Sequence, residues 1–255
     1  MNIKTLILQT DIRWADPPAN VRQADEMIDG CGGADLIVLP EMFSTGFCTD
    51  PEGVAEPEGC DTLQWMKRKA SQRNCAIAGS IATKADGRFY NRFYFVHPDG
   101  NVQWYDKKHL FTYGGEHLHY TPGTERVVVT FRGVRILLQV CYDLRFPVWS
   151  RNRGDYDAVI YVASWPSSRA AAWKALLRAR AIENQCYVIA VNRVGEDPNC
   201  KYTGGSAIID PYGQTLAACE DGMAGGASAI VDMEELETFR KKFPVLKDAD
   251  SFTIY

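Results

Sequence analysis

The sequence predicts an α/β protein in which sheets carry helices on their outer faces. Three observations carry this reading. Strands outnumber helices, and helices alternate with pairs of strands. The strands read at 34–39 and 158–163 contain the continuous apolar runs 36–39 and 158–163, as expected of strands buried on both faces. No GxGxxG or P-loop follows any strand, so a simple dinucleotide-binding fold and nucleotide-phosphate chemistry lack support. The chain has 255 residues, 46% hydrophobic and 24% charged, enough to enclose a large core. With no repeat, linker or low-complexity segment, residues 1–255 read as one domain.

The elements follow in order. Residues 4–9 form a short apolar strand. Asp16-Pro17-Pro18 then caps a helix, with proline in the first turn, where a missing N–H costs nothing. Val21, Ala24, Met27 and Ile28 give that helix an apolar stripe, and Gly30, Gly32 and Gly33 end it. The strand at 34–39 stops at Pro40-Glu41, and a loop rich in Gly, Pro and Glu runs over 42–59. Asp61 is expected to cap the next helix, with Leu63, Met66 and Ala70 inward. Residues 75–82 are a buried strand. Residues 88–96 and 101–105 form a hairpin around Pro98-Asp99-Gly100. Residues 126–131 and 134–140 form another, followed by a helix around 147–152. The strand at 158–163 leads to a long helix over 167–184, with Trp173, Leu176, Leu177 and Ala181 on one side. Strands at 186–192, 206–209, 215–218 and 227–231 and a short helix at 234–241 complete the body. The tail, 243–255, is extended and carries Phe252 and Tyr255. It is expected to dock at a subunit interface.

Composition narrows the function. A net charge of -4 offers no basic patch for nucleic acid or an anionic membrane surface. No apolar run is long enough to span a bilayer. The N-terminus enters a strand without the features of an export signal, so the expected location is the cytoplasm. There the eight scattered cysteines are read as free thiols. Only His117-x-His119 has ligand-like spacing, so no metal site is expected.

Three strand ends are chemically unusual. Val38-Leu39-Pro40 runs into Glu41, Trp104-Tyr105-Asp106 into Lys107, and Leu138-Gln139-Val140 into Cys141. Val134, Ile136, Leu138 and Val140 share one strand face by alternation, and Leu137 makes the other face partly apolar. A cysteine at such an end sits on a rigid support with its thiol free to face a cleft. If the three ends converge, a carboxylate, an ammonium and a thiol meet. Glu41 would then take the thiol proton as general base. Lys107 would stabilise the thiolate and an oxyanion, with the Tyr142 backbone amide as second oxyanion donor. Taken singly, Cys141 could be a core thiol, Glu41 a solvated loop residue and Lys107 a surface lysine. A Cys-His hydrolase using His109 or His119 as base, or a binding protein on this scaffold, stays open at this point.

The segments Leu36-Ile37-Val38-Leu39-Pro40-Glu41-Met42-Phe43, Tyr105-Asp106-Lys107-Lys108-His109-Leu110-Phe111 and Cys141-Tyr142-Asp143-Leu144-Arg145-Phe146-Pro147 resemble the three motifs of the nitrilase (carbon–nitrogen hydrolase) superfamily, in order. Arg178-Ala179-Arg180-Ala181-Ile182-Glu183-Asn184 resembles its late helix. The resemblance covers nearly the whole chain. It implies a four-layer α-β-β-α sandwich and a Glu-Lys-Cys triad of Glu41, Lys107 and Cys141. It also implies a second glutamate in the loop after the lysine motif, here Glu116, that positions Lys107 and the substrate. His109, His117 and His119 become structural or pocket-lining, and Glu183 an ion-pairing residue beneath the site.

The segments at 115–120 and 147–152 resemble the omega-amidase branch, especially its bacterial members. That likeness implies hydrolysis of the terminal amide of 2-oxoglutaramate and 2-oxosuccinamate to the 2-oxo diacid and ammonia. Another amide, a carbamoyl amide or a nitrile is the alternative within the superfamily. The far carboxylate of an oxo-acid substrate needs a cationic or polar contact. Arg145 and Arg169 are the candidates, with Phe43 and Trp165 as pocket walls. No cofactor is expected, and the expected assembly is a homodimer or larger homo-oligomer. Its interface would take the helices after Cys141 and Ser167 and the tail.

Overall fold

A computed structural model describes residues 2–253. β1 (Asn2–Gln9) leads to α1 (Pro17–Gly30), whose N-cap is Asp16 as expected: its carboxylate accepts the Ala19 amide at 3.1 Å. β2 (Leu36–Val38) is shorter than the strand expected at 34–39; at its far end Pro40 has no amide with which to extend a ladder. β3 (Glu56–Pro57) is a two-residue pairing inside the loop that precedes α2 (Asp61–Arg73). Asp61 does not cap α2. The Cys60 Sγ accepts the Leu63 amide at 3.5 Å, and Asp61 is the first helical residue, where its charge favours the positive helix end.

β4 (Ala76–Ala85), β5 (Arg88–Val96) and β6 (Val102–Asp106) meander antiparallel. β7 (Val128–Phe131) and β8 (Val134–Val140) form the second hairpin, and α3 (Pro147–Ser150) is one turn long. β9 (Ala158–Ala163) is followed by a single 3-10 turn and then α4 (Ala170–Asn184). β10 (Tyr187–Asn192) precedes a small separate hairpin, β11 (Val194–Glu196) and β12 (Lys201–Thr203), too short to leave a periodic signal in the sequence. β13 (Ala207–Ile209), β14 (Thr215–Ala218), β15 (Gly225–Asp232) and α5 (Met233–Lys242) close the order.

The strands make two large sheets. One runs β15-β1-β2-β4-β5-β6, with β3 beside β4; the other runs β14-β13-β10-β9-β8-β7. Their inner faces share one core, in which Ile3, Val38, Phe93 and Tyr105 meet Val134, Ile136, Leu138 and Val140. The opposite faces carry separate cores under the helices. Leu6, Leu8 and Ile77 lie with Ala24, Ile28, Leu63 and Met66 of α1 and α2; Leu137, Val159 and Val188 lie with Trp173, Leu177 and Ala181 of α4. The layer order is therefore α-β-β-α. The alternation read along β8 is the reason: four residues face the other sheet, and Leu137 faces the helix.

The tail residues 249–253 have no regular secondary structure and lie at the surface, where Arg153 stacks on Phe252 of the same chain at 4.7 Å. Tyr255 lies outside the described residues. No described helix is long and apolar enough to cross a membrane.

Candidate active site

Glu41, Lys107 and Cys141 meet in one pocket of about 370 Å³. They come from both sheets: Glu41 follows β2, Lys107 follows β6 and Cys141 follows β8. Two of the three sit at strained turns. Cys141 has φ +46° and Met42, next to Glu41, has φ +44°, a region that non-glycine residues occupy at a cost of about 1–3 kcal/mol.

Lys107 and both glutamates are removed from solvent, with side-chain exposure of 0%. Lys107 Nζ donates to Glu41 Oε1 at 2.9 Å and to Glu116 Oε1 and Oε2 at 3.1 and 2.9 Å. Glu116 also accepts the Phe111 amide at 2.6 Å. It stands behind Lys107 rather than on the pocket surface, and its carboxylate is bonded to its own loop through the Phe111 amide. Glu41 Oε2 accepts the Ser164 amide at 2.8 Å, which ties the end of β9 to the end of β2.

The electrostatics follow from this geometry. Two carboxylates share one ammonium, so the buried cluster is one charge negative when all three are ionised. Burial opposes the charge on Lys107, but Glu116 and Glu41 outweigh it and hold the ammonium protonated well above the usual lysine range. Burial, with Glu41 beside it, pushes Glu116 up against the opposing pull of Lys107. Burial also pushes the Cys141 thiol well up; Glu41 adds to this and Lys107 opposes it. At neutral pH the resting cysteine is therefore a thiol, and it needs a base.

The turn that carries Cys141 is held from behind. Asp143 is buried; its Oδ2 accepts the Val140 amide at 2.9 Å and the Tyr105 hydroxyl at 2.8 Å. Its Oδ1 accepts the His109 amide at 3.0 Å and lies 2.8 Å from His109 Nδ1. His109 thus fastens the lysine segment to the cysteine turn, and its ring stacks on Phe146 at 3.9 Å. His117 and His119 are at the surface, with His119 Nδ1 3.9 Å from Asp50. Among the described residues no histidine lines the pocket, whereas the carboxylates Glu41 and Asp197 do. Glu183 pairs with Arg180 at 2.9 Å, and Arg180 donates to the Leu144 carbonyl beneath the cysteine turn.

Arg145, Arg169, Trp165 and Tyr142 all line the pocket. Tyr142 stands in the first turn after Cys141, where an amide has no intrahelical acceptor. Arg145 stacks on Trp165 at 4.8 Å and Arg169 on Phe111 at 5.3 Å. Among the described residues neither guanidinium pairs with a carboxylate. Phe43 is a correction: it is 2% exposed, in the outer core against Trp65 and Gly79, and does not reach the pocket. It is two residues past Glu41, and the left-handed turn at Met42 sends it outward to the helix layer. Phe47 and Phe111 supply the aromatic wall instead.

The sequence reading missed four contributors. Ser164 ends a buried strand, as Glu41 and Cys141 nearly do, so the same logic applied to β9 would have found it. Asn91 donates to both Glu41 and Glu116, at 2.7 and 3.1 Å, and its only sequence signal is a polar side chain inside an apolar strand. Asp197 and Tyr202, hydrogen-bonded to each other at 2.6 Å, form the wall from the β11–β12 hairpin and left no signal. Among the described residues no group of three or more His, Cys, Asp or Glu side chains is arranged to hold a metal ion.

Residues 6–241 match the carbon-nitrogen hydrolase family. An omega-amidase of Escherichia coli is 48% identical over 254 residues, 99% of each chain. A 2-oxoglutaramate amidase of Bacillus subtilis is 37% identical over 248 residues, 94% of this chain and 95% of that one. A crystal structure of a CN-hydrolase superfamily protein from Xanthomonas campestris, with an arsenic adduct in its active site, superposes with a TM-score of 0.97 and 41% identity over 100% of both chains.

Proposed function

The chain belongs to the carbon-nitrogen hydrolase family and is a hydrolase of amide carbon–nitrogen bonds; from that premise we propose that it is an omega-amidase acting on 2-oxo acid monoamides through a thioester on Cys141. The proposed substrates are 2-oxoglutaramate and 2-oxosuccinamate. The observation that carries this is a single pocket in which a thiol and a buried Glu41–Lys107 pair share space with two arginines that, among the described residues, pair with no carboxylate. Such arginines suit an anionic substrate, because an unpaired guanidinium can make charge-assisted bidentate contacts to a carboxylate. The names of the 48% and 37% identical relatives point the same way.

The reaction runs in two halves. Cys141 gives its proton to Glu41 as its sulfur attacks the amide carbon. The oxyanion is met by Lys107 Nζ and the Tyr142 amide. The carbon–nitrogen bond then breaks as Glu41 returns the proton to the departing nitrogen, and ammonia leaves a thioester. Glu41 next takes a proton from water, the hydroxide attacks the thioester, and the sulfur leaves and recovers its proton from Glu41. Glu116 holds Lys107 in line. Arg145 or Arg169 holds the far carboxylate. Every proton is accounted for by protein and water, so the scheme requires no cofactor.

We place the whole reaction in one domain spanning 1–255 and read the molecule as a homodimer or larger homo-oligomer. Exposed Val148 and Ile182, on α3 and α4, support an interface on that face. The test of function is ammonia release across a panel of 2-oxoglutaramate, 2-oxosuccinamate, glutamine, deaminated glutathione and a simple nitrile, with mass detection of an acyl adduct on Cys141. Preference for the nitrile or for deaminated glutathione would move the enzyme to another branch of the family.

A further inference from the structure

Glu41 has two oxygens, and the structure treats them differently. Oε1 accepts from Asn91 Nδ2 at 2.7 Å and from Lys107 Nζ at 2.9 Å, which fills both of its lone pairs. Among the described residues Oε2 accepts only from the Ser164 amide. One lone pair of Oε2 is left.

What prevents the carboxylate from turning over is a closed ring. The Met42 amide donates to Ser80 Oγ at 2.9 Å, Ser80 Oγ donates to Asn91 Oδ1 at 2.9 Å, and Asn91 Nδ2 donates back to Glu41, whose own chain continues into Met42. All four residues are fully buried. The Asn91 amide has one tolerable orientation, since flipping it would aim its carbonyl at Glu41 and Glu116 together. The ring also satisfies the amide of Met42, the residue in the strained left-handed conformation. It thereby links the backbone turn after β2 to the side chain that the turn presents.

We infer that Asn91 is a positioning residue that saturates Glu41 Oε1 through this ring, so that Oε2 is the atom that takes the proton from Cys141. The inference rests on the reading of Cys141 as nucleophile and Glu41 as its base. The ionisable groups facing Glu41 are Lys107 from the end of β6, Glu116 from the loop beyond it and Cys141 from the end of β8. Tyr120, whose hydroxyl donates to the Cys48 carbonyl at 2.8 Å, is close enough to feel the same charges.

The first readout needs no turnover. The rate at which iodoacetamide alkylates Cys141, followed by peptide mass mapping, is measured against pH for the parent, Asn91→Ser, Ser80→Ala and Glu41→Gln. Losing a charge-assisted hydrogen bond worth about 1.5 kcal/mol at the base is expected to move the acidic limb of the Asn91→Ser alkylation profile up by about one pH unit. Ser80→Ala moves it the same way by less. In amide hydrolysis kcat falls about tenfold or more while KM stays within about twofold, as for an interaction made with the base rather than with substrate. A limb displaced in Glu41→Gln but unmoved in folded Asn91→Ser and Ser80→Ala overturns the role of Asn91 alone. A limb at the parent's pH in Glu41→Gln overturns the base assignment, and this inference with it. If Asn91→Ser does not fold, Ser80→Ala decides.

Discussion

Replacing Lys107 with Met is the sharpest test of how the buried cluster is held together. Methionine keeps an unbranched stem of similar length and removes only the charge and its donors. The parent lysine makes contacts of 2.9, 3.1 and 2.9 Å to two carboxylates whose side chains have 0% exposure. Without it Glu41 and Glu116 face each other across Asn91 with no counter-ion, and removing one partner of a buried pair costs about 3–5 kcal/mol. The variant relieves part of this by binding a proton. Glu116 is the acceptor, because burial and Glu41 already raise its pKa in the parent. Its folded value then lies above the unfolded value of about 4.3. Between the two values the folded state binds more protons than the unfolded state, so stability is present at low pH and lost as pH rises. Urea unfolding of parent and variant at pH 5 and pH 8 measures this. The expected deficit is larger at pH 8, by about 1.4 kcal/mol for each pH unit that lies between the parent's folded Glu116 value and the variant's higher one. Equal deficits at the two pH values would refute the claim that two ionised carboxylates depend on this lysine.

Other outcomes follow from the same geometry. Cys141→Ala is expected to abolish ammonia release while leaving circular dichroism and Tm near those of the parent, and a residual rate near normal would remove the thioester scheme. Arg145→Ala or Arg169→Ala should raise KM for an oxo-acid amide by roughly 10–100-fold, since a hydrogen bond to a charged group contributes about 1.5–3 kcal/mol; the same factor on a neutral amide would argue against carboxylate binding. Phe43→Ala should cost about 3–5 kcal/mol in unfolding free energy, as a truncated core aromatic does, with KM unchanged; a KM effect would return Phe43 to the pocket. Prolonged EDTA treatment is expected to leave activity intact, and loss restored by a divalent ion would call for a metal step.

Much of the fold was legible because its signals are local. The period-2 pattern of β8 assigned faces that the cores of both sheets respect, and Asp16 capped α1 as its side chain requires. Boundaries were less legible where a neighbour decided them. Asp61 lost the cap of α2 to Cys60, since which of two adjacent residues turns into the helix depends on how the loop arrives. The β11–β12 hairpin was missed because three-residue strands carry no period to read, yet it supplies Asp197 and Tyr202 to the pocket.

The site divides in the same way. By itself the sequence determined which chemistry was present: a carboxylate, an ammonium and a thiol, each just past an apolar strand, at residues 41, 107 and 141. Chemistry of that kind is a property of side chains and their immediate strand ends, and both are written along the chain. Only the tertiary structure decided that the three meet, because they come from two sheets and their separation depends on face-to-face packing, the Asp143–His109 tie and the Ser164–Glu41 tie. It also decided what each is worth. Whether Cys141 is thiol or thiolate, and which oxygen of Glu41 is left to act, depends on burial and on partners 9 to 123 positions away in sequence, such as Glu116 for Lys107 and Ser164 for Glu41. Desolvation and hydrogen-bond saturation are set by everything that surrounds a group, and no single stretch of the chain contains that information.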